Sequence, residues 1–312
     1  MGASECPLDY LKQKCITTTI CSVSLVLADD TSLSQYGRSS GRVGSIRNYC
    51  LQLAGSTAYD WIAIVDDDID LRLEHVDSVL ASAAHLPRAT YGANITGRDS
   101  RDTLSQLLSA AGHNPAESIL SDSSLLFGHN TISNVRPYIS GGFILINSRV
   151  LGDLKPFPET YNETWIWCLL NRIENGIPSI LLDINVSHLR RSSLSSAVQS
   201  TVQEQLGVLI ARILKRIPKK FSLSSSSWID WLCSESMPSR LGTLSPARRL
   251  LAPVECGSST FCDRLDKLLE SRIGIGAHAL ADELAGVDWH SLVMKWAADY
   301  QELGRTFAKG TN

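Results

Sequence analysis

A chain of 312 residues, 44% hydrophobic and 20% charged, has the composition of an ordinary soluble globular protein and the length of about two domains. Its net charge of -3 excludes a general electrostatic pull toward nucleic acid. The longest apolar run, residues 20–28 (ICSVSLVLA), is too short to span a bilayer.

That run is rich in β-branched residues and passes directly into Asp29 and Asp30 with no small-residue cleavage pattern, so it reads as a buried strand. Residues 43–54 have helical spacing, 61–65 form a second strand and 73–84 a second helix. Further strands are expected over 138–146 (YISGGFILI) and 180–186, with a helix over 162–174 between them. Strands alternating with helices predict an α/β domain with a mostly parallel sheet covered on both faces, occupying residues 1–191. Beyond it, a helical region is expected over 195–312, because residues 198–217 and 289–307 each carry one apolar face and no convincing strand remains. The stripe from Trp289 to Phe307 suits a helical core or a dimer face. The basic segment 212–220 suits either a solvated helix face, which is preferred here, or an anionic membrane surface.

Eight cysteines show neither a C-x-x-C pair nor zinc-ligand spacing, and several lie in apolar segments. Free thiols in a reducing cytoplasm are the simplest expectation.

The most informative stretch is residues 59–71, YDWIAIVDDDIDL, in which an apolar strand ends in Asp66, Asp67 and Asp68. One aspartate there would be a turn residue. Three adjacent carboxylates repel one another unless a positive partner relieves them, and carboxylate oxygens select hard cations such as Mg²⁺ or Mn²⁺. In an open α/β sheet, ligands bind where the strands end at their carboxyl termini.

Other stretches occur in order with this one: VLADDTS at 26–32, GSIRNYCLQLA at 44–54, ISGGFILI at 139–146, PFPETYNETWIWC at 156–168 and VSH at 186–188. Together they resemble the nucleotide-binding half of GT-A glycosyltransferases, most closely the family-two type, over about the first 190 residues of this chain. The resemblance implies a GT-A, Rossmann-like fold and a metal-dependent glycosyltransferase that moves a sugar from a nucleotide-diphosphate donor to an acceptor hydroxyl. It implies that Asp29 or Asp30 lies near the nucleotide, that Arg47 lies near the donor, and that Asp66 and Asp68 are the outer members of a DxD motif. Asp66, Asp67, Gly141 and Gly142 would border the donor. Asp68, Asp66 and His188 would hold Mn²⁺ or Mg²⁺.

Two departures bear on the chemistry. The family pattern places an Asp after the Glu of 163, as the base that deprotonates the acceptor, whereas this chain has Thr164. Glu163 is then the expected base in an inverting reaction; Glu159 or a retaining mechanism are the alternatives. The segment ahead of residue 20 is also too short for the strand and helix with which the family begins. These departures motivate a second reading, a non-catalytic homologue that binds nucleotide sugars or acts as a scaffold. A nucleotidyltransferase ranks below both, because no glycine-rich, lysine-bearing phosphate loop is visible. A glycoside hydrolase would leave the three aspartates unexplained.

Overall fold

The computed structural model describes residues 43–56, 59–66, 69–70, 88–96, 103–112, 135–136, 138–188, 198–216 and 259–310. The expected strand at 20–28, the helix at 73–84, and Asp29, Asp30, Asp67 and Asp68 lie outside those residues, as do Lys219 and Lys220 of the basic segment.

The first described helix, α1 (Val43–Gly55), buries Gly44, Arg47, Asn48, Leu51 and Ala54. Their three- and four-residue spacing is that of one helical face. Unusually, that face carries an arginine and an asparagine. Strand β1 (Trp61–Val65) follows, then the short β2 (Ile69–Asp70), β3 (Thr90–Thr96), helix α2 (Thr103–Ala110), the short β4 (Val135–Arg136) and β5 (Phe143–Asn147). A 3-10 turn (Ser148–Asp153) leads by an extended segment to α3 (Glu163–Asn175) and β6 (Ser179–His188). The remaining described elements are helical: α4 (Val198–Arg216), α5 (Ser259–Ile273), α6 (Ala277–Ala285) and α7 (Trp289–Gly310).

The strands form one sheet in the order β1–β5–β3–β6–β2, with β4 also paired to β6. The expectation of a mostly parallel sheet is corrected here. Among the described strands only β3 and β6 pair in parallel, whereas β1–β5, β3–β5, β2–β6 and β4–β6 are antiparallel. The fold is α/β with a mixed sheet. Apolar runs show that a strand is buried on both faces but carry no information on its direction. Thus β5 lies between β1 and β3 and runs against both. Its alternation is still legible: Ile144 and Ile146 join the cluster under α1 and α3, while Phe143 and Leu145 join Tyr91 and Ile184 on the opposite face.

Helix α3 is apolar almost all round, as a central helix should be. Trp167 and Cys168 pack toward the sheet with Phe157 and Ile144, while Ile166, Leu169, Leu170 and Ile173 face the helical layer. That layer takes in Leu206, Leu209 and Ile210 of α4, Leu265 and Leu269 of α5, and Val293 and Trp296 of α7. The 289–307 stripe is therefore core, and its cluster draws residues from both sides of the join expected at 191–195. α7 also reaches the sheet side, where Phe307 enters the cluster with Trp167 and the Tyr300 hydroxyl donates to the Pro156 carbonyl at 3.0 Å. No described helix is long and apolar enough to cross a membrane.

Candidate functional site

The site is built around one buried guanidinium. Arg47 projects from α1, with 3% of its side chain exposed, into the space between the end of β1, the loop before β5 and the first turn of α3. Nη2 donates to Asp66 Oδ1 at 2.8 Å and to the Gly141 carbonyl at 2.9 Å. Nη1 donates to Glu163 Oε1 and to Thr164 Oγ1. Four acceptors thus meet the four terminal N–H groups. The guanidinium carbon also lies 5.7 Å from the centre of the Phe157 ring. Nε is buried with no partner among the described residues.

The two carboxylates differ from the arginine in being open. The side chain of Asp66 is 28% exposed and that of Glu163 is 18% exposed. Each uses one oxygen inside the network. Asp66 Oδ1 and Glu163 Oε1 face Arg47, and Thr164 Oγ1 donates to the same Glu163 Oε1 at 3.0 Å. Among the described residues, Asp66 Oδ2 and Glu163 Oε2 take no hydrogen bond. An open carboxylate oxygen next to a fixed one can accept a proton or ligate a cation while the side chain keeps its place.

Local structure explains why these groups meet. The β1–β5 ladder continues past Val65, with the Asp66 N–H donating to the Gly142 carbonyl at 3.0 Å. This fixes Asp66 beside the glycine pair. A β-carbon on Gly141 would stand 2.6 Å from Thr164 Oγ1 and 2.8 Å from both terminal nitrogens of Arg47. One on Gly142 would stand 2.7 Å from the Cδ1 atoms of Ile69 and Ile95. A side chain at either position would thus have to displace side-chain atoms of the network or of the sheet, a close approach of the kind a glycine inside a strand-like run suggests. That approach is to Arg47 and Thr164 on one side and to the sheet on the other. The strand expected over 138–146 accordingly starts only at Phe143.

The outer wall of the site is the segment from Lys155 to Asn162, which runs against α1 and α3. Asn48 Nδ2 donates to the Phe157 carbonyl at 2.9 Å, and the Phe157 N–H donates back to Asn48 Oδ1 at 2.6 Å. Ser45 donates to Glu159. Trp167 Nε1 donates to the Lys155 carbonyl at 2.6 Å, and the Phe157 and Trp167 rings stack at 4.2 Å. Tyr138 and Trp165 stack at 4.4 Å beside the network.

Arg47, Asp66, Gly141, Gly142 and Glu163 lie together in the structure. His188 ends β6 in register with Ile69 of β2. Arg47 is at the site, but its terminal N–H groups are committed to protein oxygens. Sequence reasoning missed Thr164 as a member of the network, since a threonine in place of an expected carboxylate reads as a loss. It also missed Asn48 and Ser45. Asn48 shares the buried face of α1 with Arg47 and Leu51, whereas Ser45 lies off that face.

No group of three or more His, Cys, Asp or Glu suited to a metal ion occurs among the described residues. The hard, open Asp66 Oδ2 fits a Mg²⁺ or Mn²⁺ ligand in chemical type. Comparison with known protein families gives no match, and comparison with curated proteins gives none either.

Proposed function

We propose that the chain is a metal-dependent glycosyltransferase acting on a nucleotide-diphosphate sugar and an acceptor hydroxyl, with a GT-A-type catalytic domain. The observation that carries this reading is the pair of open carboxylates, Asp66 and Glu163, held on opposite sides of one buried guanidinium. The ordered sequence motifs supply the substrate class.

Glu163 is the base. Its Oε1 is anchored by Arg47 and Thr164, so Oε2 takes the proton from the acceptor hydroxyl as that oxygen attacks the anomeric carbon. Thr164 substitutes for a second carboxylate by doing what a carboxylate cannot do: it accepts from Arg47 and donates to Glu163. Arg47 is a positioning residue that sets the spacing of the two acids. Asp66, with Asp68 and His188, would hold the divalent ion, which when bound neutralises charge on the leaving diphosphate. Gly141 and Gly142 keep the backbone close enough for this packing.

The test is release of nucleoside diphosphate from a panel of nucleotide sugars, with and without Mn²⁺, by the full chain. Glu163→Gln is expected to lower turnover by about 10²–10⁴-fold while leaving donor-induced thermal stabilisation in place. Turnover by Glu163→Gln at the parent rate would remove Glu163 as the base. Absence of turnover by the parent protein with every donor would overturn the transferase reading.

A further inference from the structure

The turn that carries Glu163 is shaped by a helix from the other layer of the molecule. α4 meets the segment just ahead of α3 at Gly207, which is buried against Tyr161. A β-carbon on Gly207 would overlap the Tyr161 carbonyl oxygen. It would also lie 2.8 Å from the carbonyl carbon and 2.9 Å from Cβ of the same residue. The carbonyl atoms are main chain, so no flexible side-chain end can yield.

The next residue, Asn162, has φ 60 and ψ 31, and its side chain makes no capping bond. It is the only non-glycine residue at positive φ among those described. Its carbonyl accepts the Ile166 N–H at 3.1 Å and so starts α3. Glu163 and Thr164 follow. The position of the Tyr161 carbonyl therefore sets the left-handed turn, and the turn sets where both side chains meet Arg47.

α4 is held on its other sides by polar and apolar contacts. One turn before Gly207's neighbours, Glu204 receives both the N–H and the hydroxyl of Thr103 at 2.9 Å, which ties α4 to the start of α2. Leu206, Leu209, Ile210 and Leu214 are buried in the helical cluster. The Tyr161–Asn162 turn is half-buried.

We propose that Gly207 is a positioning residue of the site, through which the helical layer fixes Glu163 and Thr164 on Arg47. Its effect on turnover rests on the reading of Glu163 as the base; its effect on the network does not. An added methyl at 207 displaces the Tyr161–Asn162 turn rather than α4, and the network loosens.

The experiment compares Gly207→Ala with Gly304→Ala in the full chain. Gly304 lies in α7 with open space around its would-be β-carbon, so it controls for the change of residue type in a helix. The guanidinium NMR signals of Arg47 are the structural readout, because four protein acceptors restrict its rotation. The expected result is that these signals shift or broaden in Gly207→Ala and stay in place in Gly304→Ala. On the activity side, Gly207→Ala is expected to lower kcat by ~10-fold or more with the donor KM little changed. Arg47 signals that coincide with those of the parent in Gly207→Ala would overturn the proposal. A parent protein without any transferase turnover would remove the functional reading and leave the NMR comparison to decide this one. Should Gly207→Ala fail to fold, native-state hydrogen exchange on the parent decides instead. The amides of Gly207 and Ile166 should then lose protection together as denaturant rises, and an α4 that opens while Ile166 stays protected would refute the coupling.

Discussion

At Arg47 the balance of charge and solvation decides what the residue can do. A guanidinium taken out of water loses hydration worth several kcal/mol, and good acceptors for its N–H groups offset that loss. Here two carboxylates, one carbonyl and one hydroxyl serve the four terminal N–H groups. The hydroxyl is the member most easily tested. Thr164→Val keeps the shape and removes the oxygen, leaving one buried guanidinium N–H without an acceptor and Glu163 without one donor. The expected cost is about 1–3 kcal/mol in urea-induced unfolding, and Thr164→Ser should recover most of it. A Thr164→Val protein as stable as the parent would mean that the hydroxyl contributes nothing to holding the arginine.

At the scale of elements, the site depends on how α1 is fastened to the segment before α3. Asn48 satisfies both the N–H and the carbonyl of Phe157, as a neighbouring strand would, in a place where the segment has no described strand beside it. Asn48→Ala leaves both main-chain groups buried and unpaired, with an expected loss of about 2–3 kcal/mol by equilibrium denaturation. A loss well under 1 kcal/mol would show that Phe157 finds other partners. Much of this level was legible in the sequence. α1, β1, α3 and α4 begin and end within a residue or two of their expected limits, because helical and strand periodicities are strong there. α3 also stops where it should, at Gly176, whose φ of 65 suits the left-handed cap. Strand direction was not legible, because a run such as FILIN is equally apolar whichever way it runs. Nor could periodicity tell whether a polar residue on a helix faces water, a ligand or other protein groups. Arg47 and Asn48 look like surface or ligand-facing residues in the sequence, yet they lie on the buried face with Leu51. The convergence of Asp66 and Glu163 needed the fold, since nearly a hundred residues separate them.

For the whole molecule, burial of weak acids ties stability to alkaline pH. Burial pushes the Cys168 thiol from its ordinary 9.0 up to about 11, and the buried Tyr300 hydroxyl is raised well above its usual range by burial and then by the Glu174 charge. For Cys168 the folded state keeps its proton between pH 9 and 11 while the unfolded chain gives it up. The stabilisation is therefore complete below pH 9 and falls as pH rises toward 11, by on the order of 2–3 kcal/mol. Urea midpoints measured from pH 8 to 11 should decline accordingly, and Cys168→Ala should make the decline shallower. An unchanged slope in that variant would assign the alkaline loss elsewhere.

The two-sided burial of α3 has a consequence for how the protein is made. The face bearing Ile166, Leu169 and Leu170 receives part of its cover from α4, but Leu265, Leu269, Val293 and Trp296 come from beyond residue 259. At the ~5–20 residues per second of ribosomal synthesis, the chain from 173 to 259 takes roughly 4–17 s to emerge. For that interval the described residues leave α3 without part of its cover, and the first turn of that helix holds Glu163. The acid pair and helices α5 and α7 are thus bound to one timetable: the site reaches its final packing only once residues 259–296 have emerged.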